Sequence, residues 1–419
     1  MPVYLDHAAT TPMLPVARDA YIAALDLVGN PSSIHSQGRS SQRRLEESRE
    51  IIAASLGADP VEVVLTSGGT ESINLGVKGL YWARQAEATR PVVLVPGGEH
   101  HATVDAVEWL ERHEGARVEW LPVDEVGRLH PETLDAALAA HGASVALVSV
   151  LWANNEVGTV QPVAELVEVA ERFGVPVHID AVAAYGYLPI DFHAVGAAAL
   201  SVSAHKIGGP AGVGALLLAR RSSLEPLIHG GNQQRVRSGT QDAAGAVAFA
   251  AAAASVPRPA SAASDPSASD DDDQTTVDTA AFLTGLARLR DRLVAGVRSA
   301  VPEAVLRGDP APQGRLPGNA HFTFPGCEGD SLLFLLDMAG FSVSTGSACQ
   351  AGVPEVSHVL LAMGVPADDA RGALRFTLGH GTTEGEIDAL IEALPGACAA
   401  ARRAGYSDRV VSGRTAPPV

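Results

Sequence analysis

Val145-Ala146-Leu147-Val148-Ser149-Val150, then Pro162 to Phe173, then Val175-Pro176-Val177-His178-Ile179-Asp180 is the stretch that decides the fold. Its first and last pieces are short and almost wholly apolar, and the middle piece carries its apolar residues at helical spacing. A strand that is apolar along its whole length is covered on both faces. Strands of that kind separated by helices make a mostly parallel sheet. The alternation continues outward, with Val61 to Thr66, Val92 to Val95 and Val118 to Leu121 before it and Leu200 to Ser203 and Gly214 to Leu218 after it. The expected class is therefore α/β, with a mixed, mostly parallel sheet flanked by helices. In such sheets ligands bind beyond the carboxyl ends of the strands.

The chain has 419 residues, more than one core usually supports, which implies two domains. Past the sheet, Ala280 to Ala300, Ser331 to Met338, Val356 to Met363 and Glu384 to Leu394 read as helices, with His321 to Phe324 and Leu374 to Thr377 as strands. The expected division is an N-terminal segment, 1–14, that joins a small domain; a large domain, 15–255; an acidic Ser/Ala/Pro/Asp-rich loop or linker, 256–278; the small α+β domain, 279–402; and a loose tail, 403–419. The run Asp270-Asp271-Asp272-Asp273 reads as a solvated tract.

A formal net charge of -18 argues against nucleic-acid backbones and anionic membranes as direct partners. Three cysteines, Cys327, Cys349 and Cys398, are too few and too scattered for a disulfide framework, and no CxxC pair offers a common zinc site. No metal is expected. The opening MPVYLDHAATTP lacks the basic and apolar regions of a signal peptide, and the Ala-rich 243–255 reads as a buried helix, so a cytoplasmic protein is expected.

Four features with chemical potential fall at or near predicted strand ends. Thr66-Ser67-Gly68-Gly69-Thr70-Glu71 follows a strand and opens a helix, where small residues let backbone N–H groups approach a phosphate; a plain glycine turn capped by Thr70 fits the same letters. Asp180 is placed either to pair with a protonated ring nitrogen or to cap a helix. Lys206, in Ser203-Ala204-His205-Lys206 before Ile207-Gly208-Gly209-Pro210, is placed for Schiff-base chemistry, though a lone lysine there also reads as an exposed loop residue. Cys349, in Ser344-Thr345-Gly346-Ser347-Ala348-Cys349-Gln350-Ala351-Gly352, sits among small residues on an open loop, where a thiol can reach a partner, though a buried inert cysteine fits the same letters.

Together these residues resemble the NifS/IscS-like cysteine desulfurases, fold-type I pyridoxal-phosphate enzymes of the class-V aminotransferase family. The resemblance spans about residues 3–395. It includes Tyr4 to Pro12, Gly29-Asn30-Pro31-Ser32-Ser33, Glu99-His100, Asn154-Asn155-Glu156-Val157-Gly158, Arg237-Ser238-Gly239-Thr240 and Arg375-Phe376-Thr377-Leu378-Gly379. It implies pyridoxal 5'-phosphate on Lys206, with Asp180 at the pyridinium nitrogen and His100 stacked on the ring and moving protons. Gly69, Thr70, Ser203 and His205 would hold the phosphate, and Thr240 would reach the phosphate of a neighbouring subunit, which implies a homodimer. Asn155 would contact ring and substrate, and Arg375 would clamp the carboxylate of L-cysteine with Asn30 nearby. Cys349 would take the sulfur as a persulfide and pass it to an acceptor protein, an iron–sulfur scaffold or a tRNA thiolation enzyme. One departure stands out. The family carries Asp-Ala-x-Gln where this chain has Asp180-Ala181-Val182-Ala183. A selenocysteine lyase, which does not need Cys349, and a cofactor-binding sulfur-carrier or scaffold subunit are the competing readings.

Overall fold

Side chains alternate across a strand, so a fully apolar strand needs a cover on each face. The computed structural model describes residues 2–231, 233–257, 270–346 and 356–404. Its strands are β1 (Val3–Tyr4), β2 (Val63–Thr66), β3 (Val92–Pro96), β4 (Arg117–Leu121), β5 (Val145–Leu151), β6 (Val177–Asp180), β7 (Ala199–Ser203), β8 (Gly214–Leu218), β9 (Val305–Arg307), β10 (Asn319–Thr323), β11 (Phe341–Ser342) and β12 (Ala373–Thr377). Seven of them form one sheet in the order β2-β8-β7-β6-β5-β3-β4, with only β8 antiparallel to its neighbours. Val64, Val93 and Leu147 face a core built with helices Gly69–Glu87 and His101–Glu114. Their neighbours Leu65, Leu94 and Val148 face the opposite core, shared with helices Ser36–Ser55, Val163–Arg172 and Ala243–Ala253. The two-sided cover read from the sequence is the one observed.

A smaller antiparallel sheet, β12-β10-β9, packs under helices Asp270–Ala300, Gly329–Met338 and Glu384–Ala404 around Phe322, Phe376, Leu293 and Leu394. The amino end joins this core: β1 pairs in parallel with β11, and Leu5 is fully buried there.

Three boundaries differ from the reading, each for a local reason. The strand placed at Val61 begins at Val63, because Pro60–Glu62 forms a 3-10 turn behind an Asp59–Glu62 capping box. The stretch 256–278 is not loop throughout. Val256 is buried in the large core and a helix starts at Asp270, since acidic residues suit the amino end of a helix dipole; residues 258–269 lie outside the described residues. The last helix does not stop at Leu394 but runs through Pro395 to Ala404. A proline inside a helix costs about 3 kcal/mol. Burial of Leu390, Leu394, Cys398 and Ala401 on one face holds the helix through it. The rest of the tail, 405–419, is outside the described residues.

Candidate active site

Parallel strands that end on one side leave a crevice there. β5, β6 and β7 end at Leu151, Asp180 and Ser203, and a cavity of about 390 Å³ opens beside them. Gly69, Thr70, His100, Asn155, Asp180, His205, Lys206 and Arg375 all line it. Eight residues picked from separate motifs therefore meet in one place.

The anion end is built from backbone. Gly68 has φ 144°, a conformation that disfavours side chains, and it turns the chain into helix Gly69–Glu87. A Cβ on Gly69 would come within 2.8 Å of Val182 Cγ2. The free N–H groups of this helix end, together with the dipole, favour a phosphate. Ser203 adds a buried hydroxyl that has no partner among the described residues. Glu71 fixes the turn by accepting from Ser67 N at 2.7 Å and from Arg237 Nε at 2.9 Å.

Asp180 is buried, and its Oδ1 accepts from Val182 N at 2.9 Å. Burial pushes its carboxyl up to about 6, which a cationic partner would reverse. Lys206 Nζ donates to the carbonyls of Ala8 and Ala9, the latter at 2.9 Å. Burial, and then the charge of Arg375, draw its amine down to about 8, so a reactive neutral fraction exists near neutral pH. His100 Nδ1 accepts from Ala102 N at 3.1 Å, which leaves the proton of the neutral ring on Nε2. Surrounding protein and the Lys206 charge pull this imidazole down to about 4 although it is reachable from the cavity. Arg375 donates from Nη2 to Asp6 Oδ1 at 2.7 Å and from Nη1 to Asn155 O at 2.9 Å, while its buried Nε has no partner among the described residues.

The amino-terminal segment, whose sequence assigns it no role, proves central. Ala8 and Ala9 hold Lys206, Asp6 holds Arg375, and Thr11 N donates to His205 O at 3.1 Å. An acid, a histidine and hydroxyls clustered in Asp6-His7-Ala8-Ala9-Thr10-Thr11 were the available signal. Three described predicted residues do not line the cavity: Ser203, buried beside Gly69, and Asn30 and Thr240. Asn30 is exposed, and its Oδ1 accepts from Ser32 N at 2.9 Å. Thr240 is also exposed. Cys349 lies outside the described residues.

A doubly covered sheet with a half-buried lysine, a buried aspartate and an anion-binding helix end at its strand termini defines an aminotransferase-type site. The aminotransferase class-V family model matches residues 3–390, and the chain belongs to that family, among its IscS/NifS cysteine desulfurases. Enzymes of this kind use pyridoxal phosphate. The chain is 54% identical over 404 residues to an IscS-like cysteine desulfurase of Mycobacterium tuberculosis, which covers 96% of this chain and 97% of that one. A solved NifS-like protein superposes with a TM-score of 0.82 at 31% identity, covering 94% of this chain and 99% of its own. A second structure, SspA in complex with cysteine, gives 0.70 at 29% identity, covering 90% and 98%.

Proposed function

We propose that this chain is a pyridoxal-phosphate-dependent cysteine desulfurase that converts L-cysteine to L-alanine and carries the sulfur as a persulfide on Cys349. The observation that carries the reading is Lys206, a half-buried amine drawn down to about 8 in one cavity with Asp180 and the anion-binding turn at Gly69. The Ser203 hydroxyl, without a partner among the described residues, and the bare glycine cradle fit a phosphate, and buried Asp180 fits a protonated ring nitrogen. Pyridoxal phosphate, when bound, draws electrons from the substrate α-carbon and polarises its neighbouring bonds.

The chain's own groups do the rest. Arg375, already oriented by Asp6 and Asn155, offers its unpartnered Nε to the substrate carboxylate. His100, neutral at working pH, moves a proton at the substrate carbon from Nε2. Cys349 thiolate attacks the substrate sulfur. An S–S bond forms, the C–S bond breaks, its electron pair stays on carbon, and a proton completes alanine.

Exposed Val16, Ile22, Leu25, Val28 and Ile34 crowd on and after helix Pro15–Ala24 and support a homodimer. Exposed Thr240, three residues past the Glu71-anchored Arg237, would then reach the neighbouring site. The IscS and NifS names of the relatives support a sulfur-acceptor protein as partner in iron–sulfur assembly or tRNA thiolation. Among the described residues no helix is long and apolar enough to cross a membrane, and the sparse cysteines support a cytoplasmic setting.

The test is incubation of the cofactor-loaded protein with L-cysteine and a thiol reductant. Alanine and sulfide should appear in equal amounts, and a protein that binds cofactor but releases no alanine overturns the reading. Attachment of pyridoxal phosphate to cofactor-free protein should speed up as pH rises through about 8, well below the range of an ordinary lysine at about 10.4. A rate still climbing without a bend above pH 9 would remove Lys206 as a depressed amine.

Ala183 invites a further prediction. It borders a small cavity of about 30 Å³ with Asn155, Tyr187 and Lys206, where the family's glutamine would contact the cofactor's phenolic oxygen. Restoring one charge-assisted hydrogen bond contributes roughly 1.5–3 kcal/mol, so Ala183→Gln should tighten cofactor binding about tenfold or more and shift its visible spectrum. An unchanged spectrum and unchanged rate would dismiss this contact.

A further inference from the structure

Glu156 is 2% exposed, in the turn that follows β5. Its backbone is pinned from two sides. Asn154 Oδ1 accepts from Glu156 N at 2.8 Å and Val157 N at 2.9 Å, and Asn319 Nδ2, from β10 of the smaller sheet, donates to Glu156 O at 3.0 Å. Its side chain bonds the chain on one side of residues 347–355 and lies beside it on the other. On the far side, Ser357 Oγ donates to Glu156 Oε2 while accepting from Leu360 N at 3.1 Å as the cap of helix His358–Ala362. On the near side, Gly346 sits so close that a Cβ there would lie 3.4 Å from Glu156 Oε2 and 3.3 Å from His321 Nε2. His321 is itself fully buried, with neither ring nitrogen partnered among the described residues.

The position matters as much as the contacts. Asn155, the adjacent residue, lines the cavity and gives its carbonyl to Arg375 at 2.9 Å. Ser344 also exchanges backbone hydrogen bonds with Arg375, donating at 3.3 Å and accepting at 2.7 Å. Both ends of the Cys349-bearing segment and the carboxylate clamp are therefore referred to a single turn, 154–157. A reacting group carried on a segment works at an effective concentration set by where the ends of that segment are held. A single side chain that bonds the far end and packs beside the near end is the natural control point.

We infer that Glu156 is a positioning residue for sulfur transfer, a buried carboxylate that fixes both ends of the Cys349 segment relative to Arg375. The inference rests on Cys349 being the sulfur acceptor. Two consequences follow. Weakening the clamp slows the step made by Cys349 without changing how L-cysteine binds, because Arg375 keeps its other anchor on Asp6. An amide in place of the carboxylate retains an oxygen for Ser357 and restores much of the function.

The experiment uses cofactor-loaded Ser357→Ala, Glu156→Ala, Glu156→Gln and Cys349→Ala proteins. Ser357→Ala removes one hydroxyl and tests the clamp even where Glu156→Ala fails to fold. The expected result is a turnover of L-cysteine lowered roughly tenfold or more in the two clamp variants. Their KM and visible cofactor absorbance should match wild type, with Glu156→Gln in between. Wild-type turnover in Ser357→Ala and Glu156→Ala beside an inactive Cys349→Ala overturns the clamp and leaves the role of Cys349 standing. Loss of cofactor absorbance in Ser357→Ala in step with turnover also overturns it, by making the contact a general support of the fold. Full turnover in Cys349→Ala removes the underlying reading, and the inference falls with it.

Discussion

Cys349→Ala is expected to lower sulfide release from L-cysteine by about 10³-fold or more while cofactor absorbance stays at the wild-type level. No other described cysteine can stand in. Cys327 and Cys398 are 1% and 2% exposed, in the core of the smaller sheet region, and the Cys327 thiol donates to Cys398 O at 3.7 Å. The Cys398 thiol beside it, as a donor to the Cys327 sulfur, draws the Cys327 thiol down, a direction that would suit a nucleophile, but acidity without access gives no reaction. The neighbouring Cys327 thiol, and then burial, push Cys398 the other way. Cys327→Ala and Cys398→Ala should therefore turn over L-cysteine at the wild-type rate once folded, which makes them internal controls. Alanine and sulfide are measured together, because a variant that forms alanine without releasing sulfide would separate persulfide formation from its discharge. A Cys349→Ala protein with undiminished turnover would take this thiol out of the mechanism.

What the sequence revealed, and what it hid, follows from the range of each interaction. β3, β5 and β8 were legible because a strand covered on both faces is apolar at almost every position, and that pattern is local. The pairing of Val3–Tyr4 with Phe341–Ser342 was not legible, since two residues carry no periodicity. Pro395 misled for a related reason. It is a strong local stop signal, and it was overruled by packing around Leu390 and Leu394 that only the tertiary fold supplies.

The site divides in the same way. Lys206, Asp180 and Gly69 could be found because strand ends are where a parallel sheet binds ligands, and the strands were visible. Asp6, Ala8 and Ala9 act through contacts with residues nearly two hundred or more positions away, two of them through backbone carbonyls that any residue would provide. Nothing in their letters announces that task. Glu156 stood inside a quoted motif, Asn154 to Gly158, but its significance comes from Ser357 and Gly346, on either side of a segment far along the chain.

Lys206→Ala is expected to abolish covalent attachment of the cofactor and to lower turnover by about 10³-fold or more, because an alanine has no amine to condense with the aldehyde. The groups at Gly69, Ser203, His205 and Asp180 remain, so cofactor should still associate but be lost on dialysis. The fold should survive. Removing the amine leaves the carbonyls of Ala8 and Ala9 without their donor, which costs about 1–3 kcal/mol. Removing a half-buried positive charge offsets part of that, since the same burial is what draws Lys206 down to about 8. A melting temperature within several degrees of the cofactor-free wild type would therefore accompany the loss of activity. Lys206→Arg makes the comparison decisive. It keeps a cation that can donate to Ala8 and Ala9 but has no amine able to form the bond. If the lysine served only to tie the amino-terminal segment over the cavity, the arginine variant would stay active. If it serves as the attachment point, arginine and alanine fail alike, and visible absorbance after dialysis reads the difference directly.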